Sequence, residues 1–425
     1  MAHFEVTGGK ALSGHITIPG AKNAALPMLC ASLLTSETCV FHDVPNIQDV
    51  NTLLEILEEL GASVERNVPQ KIVEITAKSI DPTRLVACKN VKKMRATLLL
   101  MGPLLSRFGE VRVAQPGGCI IGARSNNIHI DGFVSLGAEI VPDPEHIHLK
   151  FAQKPLKEQR LLLPEASVTG TENLAIFLAN REEISEIFFS AAEPHVCAVL
   201  RMLQSMGAQI DGIGTHHLRI KGKKQLQGGT FTIPPDGILV GTYAIAGILT
   251  RGNLTIHNVN HEELYSFYGL LKRAGAAFEM RDRGLKILPN AKPLTAIPKV
   301  QTAIFPSFST DLQSPMGVLL TQCEGVSQIF ETLFENRLTY LNELEKMGAK
   351  IEILNAHQAR ITGIARLKGA EVTSWDLRAG AAMVLAGLIA EGNTKITNIE
   401  YIDRGYENFV ENLQSLGGII KRVES

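Results

Sequence analysis

The sequence predicts an α/β protein of two domains, built from six copies of one strand–helix unit, and three observations carry that prediction. A short phrase recurs as Leu60-Gly61-Ala62, Leu136-Gly137-Ala138, Met206-Gly207-Ala208, Ala274-Gly275-Ala276, Met347-Gly348-Ala349 and Leu416-Gly417-Gly418, its glycines 68 to 76 residues apart. Such a period marks a repeated supersecondary unit. A helix-period segment precedes each glycine, as over residues 50–60 or 338–347, and an alternating strand follows, as in Lys350-Ile351-Glu352-Ile353. The glycine therefore reads as a left-handed helix C-cap. The second observation is an apolar helix that ends in a turn and enters another strand, as in residues 98–106 before Gly109, 244–250 before Gly252 and 383–390 before Gly392. The third is length, since 425 residues exceed one ordinary core and six units divide into two domains of three.

Taken in order, the chain opens with two strands, Phe4-Glu5-Val6 and Ile16-Thr17-Ile18, which precede the first full unit and are expected to complete the sixth. The third unit ends near Lys223, and Gly228 to Asp236 carries the turn residues of a crossover. Domain one is thus expected over 22–232 and domain two over 1–21 plus 233–425. Two crossings predict a hinge, with substrate held between the domains.

Composition narrows the function. A formal charge of -1 argues against nucleic acid as a partner. The start, Met-Ala-His-Phe-Glu, lacks a basic and an apolar leader region, and no later stretch reads as a membrane span, so a cytoplasmic protein is expected. The six cysteines form no C-x-x-C pair and read as free thiols, with Cys30 and Cys197 in the core. His146/His148 and His216/His217 have no ligand spacing, so no metal is expected. Trp375 reads as packing, and Glu55, Glu58 and Glu59 as a solvated helix face. No P-loop and no Gly-x-Gly-x-x-Gly follows a strand.

Two features carry chemistry. Gln115 to His129 is a glycine-rich loop in which Pro116, Gly117, Gly118 and Gly122 oppose regular structure, leaving Cys119 on exposed backbone near Arg124. It reads as a reactive thiol on a lid. In addition, each unit has a polar loop where its apolar helix begins: Lys22-Asn23, Lys92 to Arg95, Ser167 to Asn173, Asp236, Ser309-Thr310-Asp311 and Asp376-Leu377-Arg378. Helix N-termini with Lys22, Arg95 and Arg378 among them suit a polyanionic small molecule. Taken singly, Ser167 or Asp236 reads as an ordinary N-cap, and Arg404 as a surface partner of Asp403.

The set of Pro19-Gly20-Ala21-Lys22-Asn23-Ala24, Pro116 to Arg124, Ser167 to Asn173, Phe308 to Asp311, Phe334-Glu335-Asn336-Arg337, Asp376 to Ala379 and Asp403-Arg404-Gly405-Tyr406 resembles the UDP-N-acetylglucosamine enolpyruvyl transferase family, collinearly and over essentially the whole chain. The resemblance implies two inside-out α/β barrel domains of pseudo-threefold symmetry. It also implies transfer of the enolpyruvyl group of phosphoenolpyruvate to the 3-hydroxyl of UDP-N-acetylglucosamine, the first committed step of peptidoglycan synthesis and thus of cell wall growth and division. No cofactor is implied. Cys119 would donate a proton, can form a covalent phosphoenolpyruvate adduct, and would be the target of fosfomycin-like epoxides. Asp311 would act on the sugar hydroxyl as base or orienter. Lys22, Arg124 and Arg404 would bind phosphoenolpyruvate, with Arg337 and Arg378 nearby. Asn23, Arg95, the segment Arg124, Ser125, Asn126, Asn127, Ile128, His129, then Ser167, Val168, Thr169 and Leu333, match positions that hold the nucleotide sugar. A monomer or weak homo-oligomer fits these small-molecule partners.

This chain departs from the family at Ser125-Asn126-Asn127, at Gly237 and Leu239, and at Glu165, mainly on the nucleotide-sugar side. A paralogue with another nucleotide-sugar acceptor therefore stays open. A non-catalytic regulatory paralogue would be marked by loss of Lys22, Cys119, Asp311 or Arg404, and all four are present.

Overall fold

The computed structural model describes residues 2–115, 126–151, 156–157 and 159–424. The chain changes domain at Pro19/Gly20 and at Pro234/Pro235, two residues from each expected boundary. Domain one is Gly20 to Pro234 over its described residues, and domain two is Met1–Pro19 with Pro235–Ser425.

Each domain is built around three helices that are apolar nearly all round, a pattern stable only when every face is covered. In domain two these are Gly237–Leu249, Gln313–Leu320 and Leu377–Ile389, packed on one another and buried along almost their whole length. In domain one, Lys22–Ala31 and Met101–Phe108 both pack on Val168–Leu178. Gly102 permits the closest approach there, because a Cβ would press into the carbonyl and side-chain oxygens of Asn173. The amphipathic helices lie outside. Gln48–Glu59 buries Val50, Leu53, Leu54, Ile56 and Leu57 and exposes Glu55, Glu58 and Glu59, as expected.

Among the described residues, six separate sheets flank the central helices. In five of them a leading strand pairs in parallel with the strand that follows the central helix, and antiparallel strands extend the sheet. The sheet of the second repeat, Glu110–Ala114, His146–Lys150 and Glu139–Ile140, has antiparallel pairs alone among the described residues. The opening strands do not both complete the sixth repeat. His3–Thr7 does, between Asn393–Thr397 and Ile419–Val423, but Ser13–Thr17 runs parallel to Asn253–His257 in the fourth. The crossover at Gly228 is itself a strand, Gly229–Thr232, parallel to Thr38–His42 in the first repeat. Each crossing thus leaves its leading strand behind in the domain it departs. The crossings are stitched by two backbone bonds, Ala21 N–H to the Pro234 carbonyl at 2.7 Å and Asp236 N–H to the Pro19 carbonyl at 3.0 Å.

The six recurring glycines, Gly61, Gly137, Gly207, Gly275, Gly348 and Gly417, all have positive φ, between 76° and 119°. In every case the glycine N–H bonds the carbonyl three residues back and the next N–H reaches five residues back, closing the helix end before the strand. Trp375 corrects an expectation. It is 40% exposed and donates its indole N–H to Glu343 Oε1 at 3.1 Å, because it stands just before a helix start where no core faces it. No helix among the described residues is long and apolar enough to cross a membrane. At Gly275 a Cβ would meet nothing within 4 Å, so Gly275→Ala should cost only the left-handed conformation, about 1 kcal/mol in urea unfolding. Gly61→Ala should cost clearly more, since its Cβ would press into the Ser79 carbonyl.

Candidate functional site

In domain two, Ser309 caps a single 3₁₀ turn, Thr310–Leu312, that leads into the central helix Gln313–Leu320 and sets Asp311 at its mouth. Asp376 caps the Leu377–Ile389 helix by accepting from the N–H groups of Arg378 at 2.7 Å and Ala379 at 3.0 Å. This places Arg378 in the first turn. Arg337 comes from the loop between the strand Cys323–Phe330 and the helix Tyr340–Lys346. The three side chains converge. Arg337 Nη2 donates to Asp311 Oδ1 at 2.7 Å, while Arg378 Nε and Nη2 donate to Oδ2 at 3.2 and 3.1 Å.

The electrostatics of this triad are lopsided. Both guanidinium groups are 3% exposed and Asp311 is 24% exposed. Burial alone would lower each arginine pKa, yet both stand above their ordinary value, Arg337 through the charges of Asp311, Asp376 and Glu331 together and Arg378 through those of Asp311, Tyr406 and Asp236. Arg378 also lies 5.6 Å from the ring centre of buried Tyr406, whose hydroxyl is 3.2 Å from Thr242 Oγ1. Asp311 hydrogen-bonds both guanidinium groups, yet Nε and Nη1 of Arg337 and Nη1 of Arg378 are buried without a hydrogen-bond acceptor. Unpaired buried donors are costly, so these N–H groups are set up for an acceptor that brings negative charge. Leu333 is 37% exposed in the loop before Arg337. Arg404 is half-buried behind the short helix Glu400–Asp403, and the Asp403 carboxylate is bound at 3.0 Å through both oxygens by Arg422.

In domain one, Lys22 opens its central helix and its ammonium lies 2.7 Å from Asp49, with both side chains largely buried. Asp49 is a residue the sequence reading missed. An acid in the first turn of the Gln48–Glu59 helix reads as an ordinary complement to the helix dipole, and nothing linear ties it to Lys22. A second group gathers where Val168–Leu178 begins. Ser167 caps that helix through the Gly170 N–H at 3.2 Å, and Ile128 packs over Gly170. His129 is 1% exposed, with Asn173 Nδ2 2.9 Å from its Nδ1 and Thr169 Oγ1 3.2 Å from its Nε2. Asn173 in turn bonds the Leu98 carbonyl and the Gly102 N–H. Burial, aided by the Arg95 charge, pushes the His129 pKa down to about 3, so the ring is neutral. Both ring nitrogens are taken, and the imidazole supports Thr169 from within the fold.

Asn23, Arg95, Asn126, Val168 and Thr169 are half-buried at these helix starts, and Asn127 is exposed. Cys119, Arg124 and Ser125, with the expected lid, lie outside the described residues. In the first histidine pair, His146 Nδ1 is 3.2 Å from Asp143, three residues before it, and His148 Nε2 is 2.6 Å from the distant Glu110. Among the described residues no group of three or more metal-ligating side chains gathers.

Comparison with known proteins bears on this arrangement. The family model of EPSP synthase (3-phosphoshikimate 1-carboxyvinyltransferase) matches residues 6–413. A UDP-N-acetylglucosamine 1-carboxyvinyltransferase of Methylacidiphilum infernorum is 42% identical, with 100% of each chain covered. The protein of that name from Magnetococcus marinus is 40% identical over 98% of each. Among solved structures, the enolpyruvyl transferase NikO from Streptomyces tendae aligns with TM-score 0.89 at 23% identity, covering 100% of this chain and 99% of its own. EPSP synthase from Acinetobacter baumannii gives 0.78 at 17%, with 100% of both covered. These two establish the fold.

Asp311→Ala would strand two buried guanidinium groups, and roughly 3 kcal/mol should be lost in urea unfolding of domain two. A change below about 1 kcal/mol would show that the triad is not held as described. The depressed pKa of His129 sets a pH dependence. The unfolded chain takes up a proton near pH 6.5 that the buried ring refuses until about 3, so stability is full above 6.5 and falls as pH drops toward 3. Its contribution to the slope is up to about 1.4 kcal/mol per pH unit, and His129→Gln should flatten urea midpoints measured between pH 6.5 and 4.

Proposed function

The chain belongs to the UDP-N-acetylglucosamine 1-carboxyvinyltransferase family, and we propose from that premise that it transfers the enolpyruvyl group of phosphoenolpyruvate to the 3-hydroxyl of UDP-N-acetylglucosamine, releasing phosphate. This is the first committed step of peptidoglycan synthesis, and we assign it to the cytoplasm. The observation that carries the reading at the level of the site is the Asp311–Arg337–Arg378 triad, two buried guanidinium groups with unpaired donors beside a partly exposed carboxylate.

The reaction is an addition followed by an elimination and draws on no cofactor. As the sugar hydroxyl oxygen bonds to C2 of phosphoenolpyruvate, it loses its proton and C3 gains one, giving a tetrahedral ketal. Loss of the C3 proton then re-forms the double bond and expels phosphate. Asp311 is assigned to the sugar hydroxyl. Both its oxygens accept from arginine in this structure, so acting as base requires a guanidinium contact to shift toward the incoming anion. Arg337 and Arg378 would stabilise charge developing on that anion, with Lys22, Arg124 and Arg404 binding its phosphate and carboxylate. Asp49 would hold Lys22 extended. Cys119 is assigned as the acid that protonates C3, open to covalent adducts with phosphoenolpyruvate or an epoxide. Asn23, Arg95, the 124–129 segment, the Ser167 loop and Leu333 are assigned to the nucleotide sugar, with His129 acting from behind through Thr169.

Purified protein should release phosphate from phosphoenolpyruvate only when UDP-N-acetylglucosamine is added; no release would reject the function. Cys119→Ala should lower the rate by about 10²-fold or more, while Cys119→Asp, which still carries a proton, should retain turnover but resist a fosfomycin-like epoxide. Full activity of Cys119→Ala would remove the acid role.

A further inference from the structure

Resting on the transferase reading above, we infer that Glu331 is a positioning residue, whose buried carboxylate ties the Asp311 turn to the Leu333 loop and so sets both against Arg337. Glu331 is 0% exposed and directly follows the strand Cys323–Phe330. Its Oε2 accepts from Thr310 Oγ1 at 2.8 Å, and its Oε1 accepts from the Leu333 N–H at 2.9 Å. The two oxygens thus reach different loops, one carrying Asp311 and the other leading to Arg337. The backbone of Glu331 is itself fixed, with its N–H on the His357 carbonyl at 2.8 Å and its carbonyl 2.7 Å from His357 Nδ1. Thr332 adds two bonds to Thr302, so the carboxylate hangs from a rigid point.

The chemistry favours a functional role over simple packing. A buried carboxylate with only neutral donors is an expensive way to join two loops, and what it offers over an amide is a second acceptor oxygen, so that each donor has its own. What the charge adds is a field at Arg337, beyond that of Asp311 and Asp376. Arg337 then keeps its buried positive charge while Nε and Nη1 stay without an acceptor. A side chain one methylene shorter could not span Thr310 and Leu333 from the same backbone point.

The test compares Glu331→Gln, Thr310→Val, their double variant and Thr310→Ser in the full chain. The readouts are kcat and KM for both substrates, the unfolding midpoint, and amide hydrogen exchange at Leu333 and in 309–311. Glu331→Gln and Thr310→Val should each lose on the order of 10-fold in kcat with midpoints near the parent's, since each removes a hydrogen bond to a charged group. The double variant should be no worse than the worse single, because both break one link, and Thr310→Ser should restore turnover by keeping the hydroxyl. In Glu331→Gln, exchange should rise together at Leu333 and in the Asp311 turn. Parental kinetics in Glu331→Gln, multiplicative losses in the double variant, or activity lost only in step with the midpoint would overturn the inference. If the parent releases no phosphate, the transferase reading fails by itself, and unchanged exchange in Glu331→Gln separately refutes the tether.

Discussion

Each central helix is buried on nearly every face, and a helix so placed has only its ends to offer. Three such helices in each domain set the location of chemistry before any catalytic residue is chosen. Their starts carry unpaired N–H groups, which attract negative charge. Here the protein spends part of that attraction internally: Ser167, Asp236, Ser309 and Asp376 turn their side chains back onto their own helices. The residues just beyond the caps, Asp311 and Arg378 in domain two and Thr169 in domain one, turn to partners elsewhere in the chain. The caps fix the backbone and leave their neighbours' side chains for other contacts.

The Asp311 triad illustrates why burial and charge have to be read together. One carboxylate between two guanidinium groups looks like a stabilising ion pair, but the desolvation of two buried arginines offsets much of the attraction. The arrangement makes better sense as a place held partly short of hydrogen-bond acceptors. Domain one shows the opposite economy. Lys22 is paired with Asp49, and His129 is neutral with both ring nitrogens bonded, so that Thr169 stands on a rigid support.

Much of this was legible in the sequence. The six glycines followed by strands could be read because a left-handed cap leaves a local signature, and all six have that conformation. The central helices were legible because uninterrupted apolar character has one stable environment. Other features depend on pairing across the chain and leave no local trace. Ser13–Thr17 alternates as any strand does, and no property of it says that it joins the fourth repeat and not the sixth. Asp49 looks like a dipole complement, and Glu331 looks like one more acid after a strand. The burial of His129 and its bonds to Asn173 and Thr169 likewise join positions 40 and 44 residues apart and leave no local trace. Arg378 and Asp311 were both recognised as polar loop residues, but their mutual contact joins positions 67 residues apart and required the fold.

The two leading strands left behind at the crossings also bear on how the chain is made. Over its described residues domain one lies between the two crossings, yet its first sheet lacks an edge until Gly229–Thr232 has left the ribosome. Domain two is split, and His3–Thr7 and Ser13–Thr17, synthesised before domain one, must wait for partners at Asn253–His257, Asn393–Thr397 and Ile419–Val423. The polypeptide therefore has the grammar of a guest inserted into a host. The guest can close while the host is still being translated, and the two strands that precede it find their partners only after it.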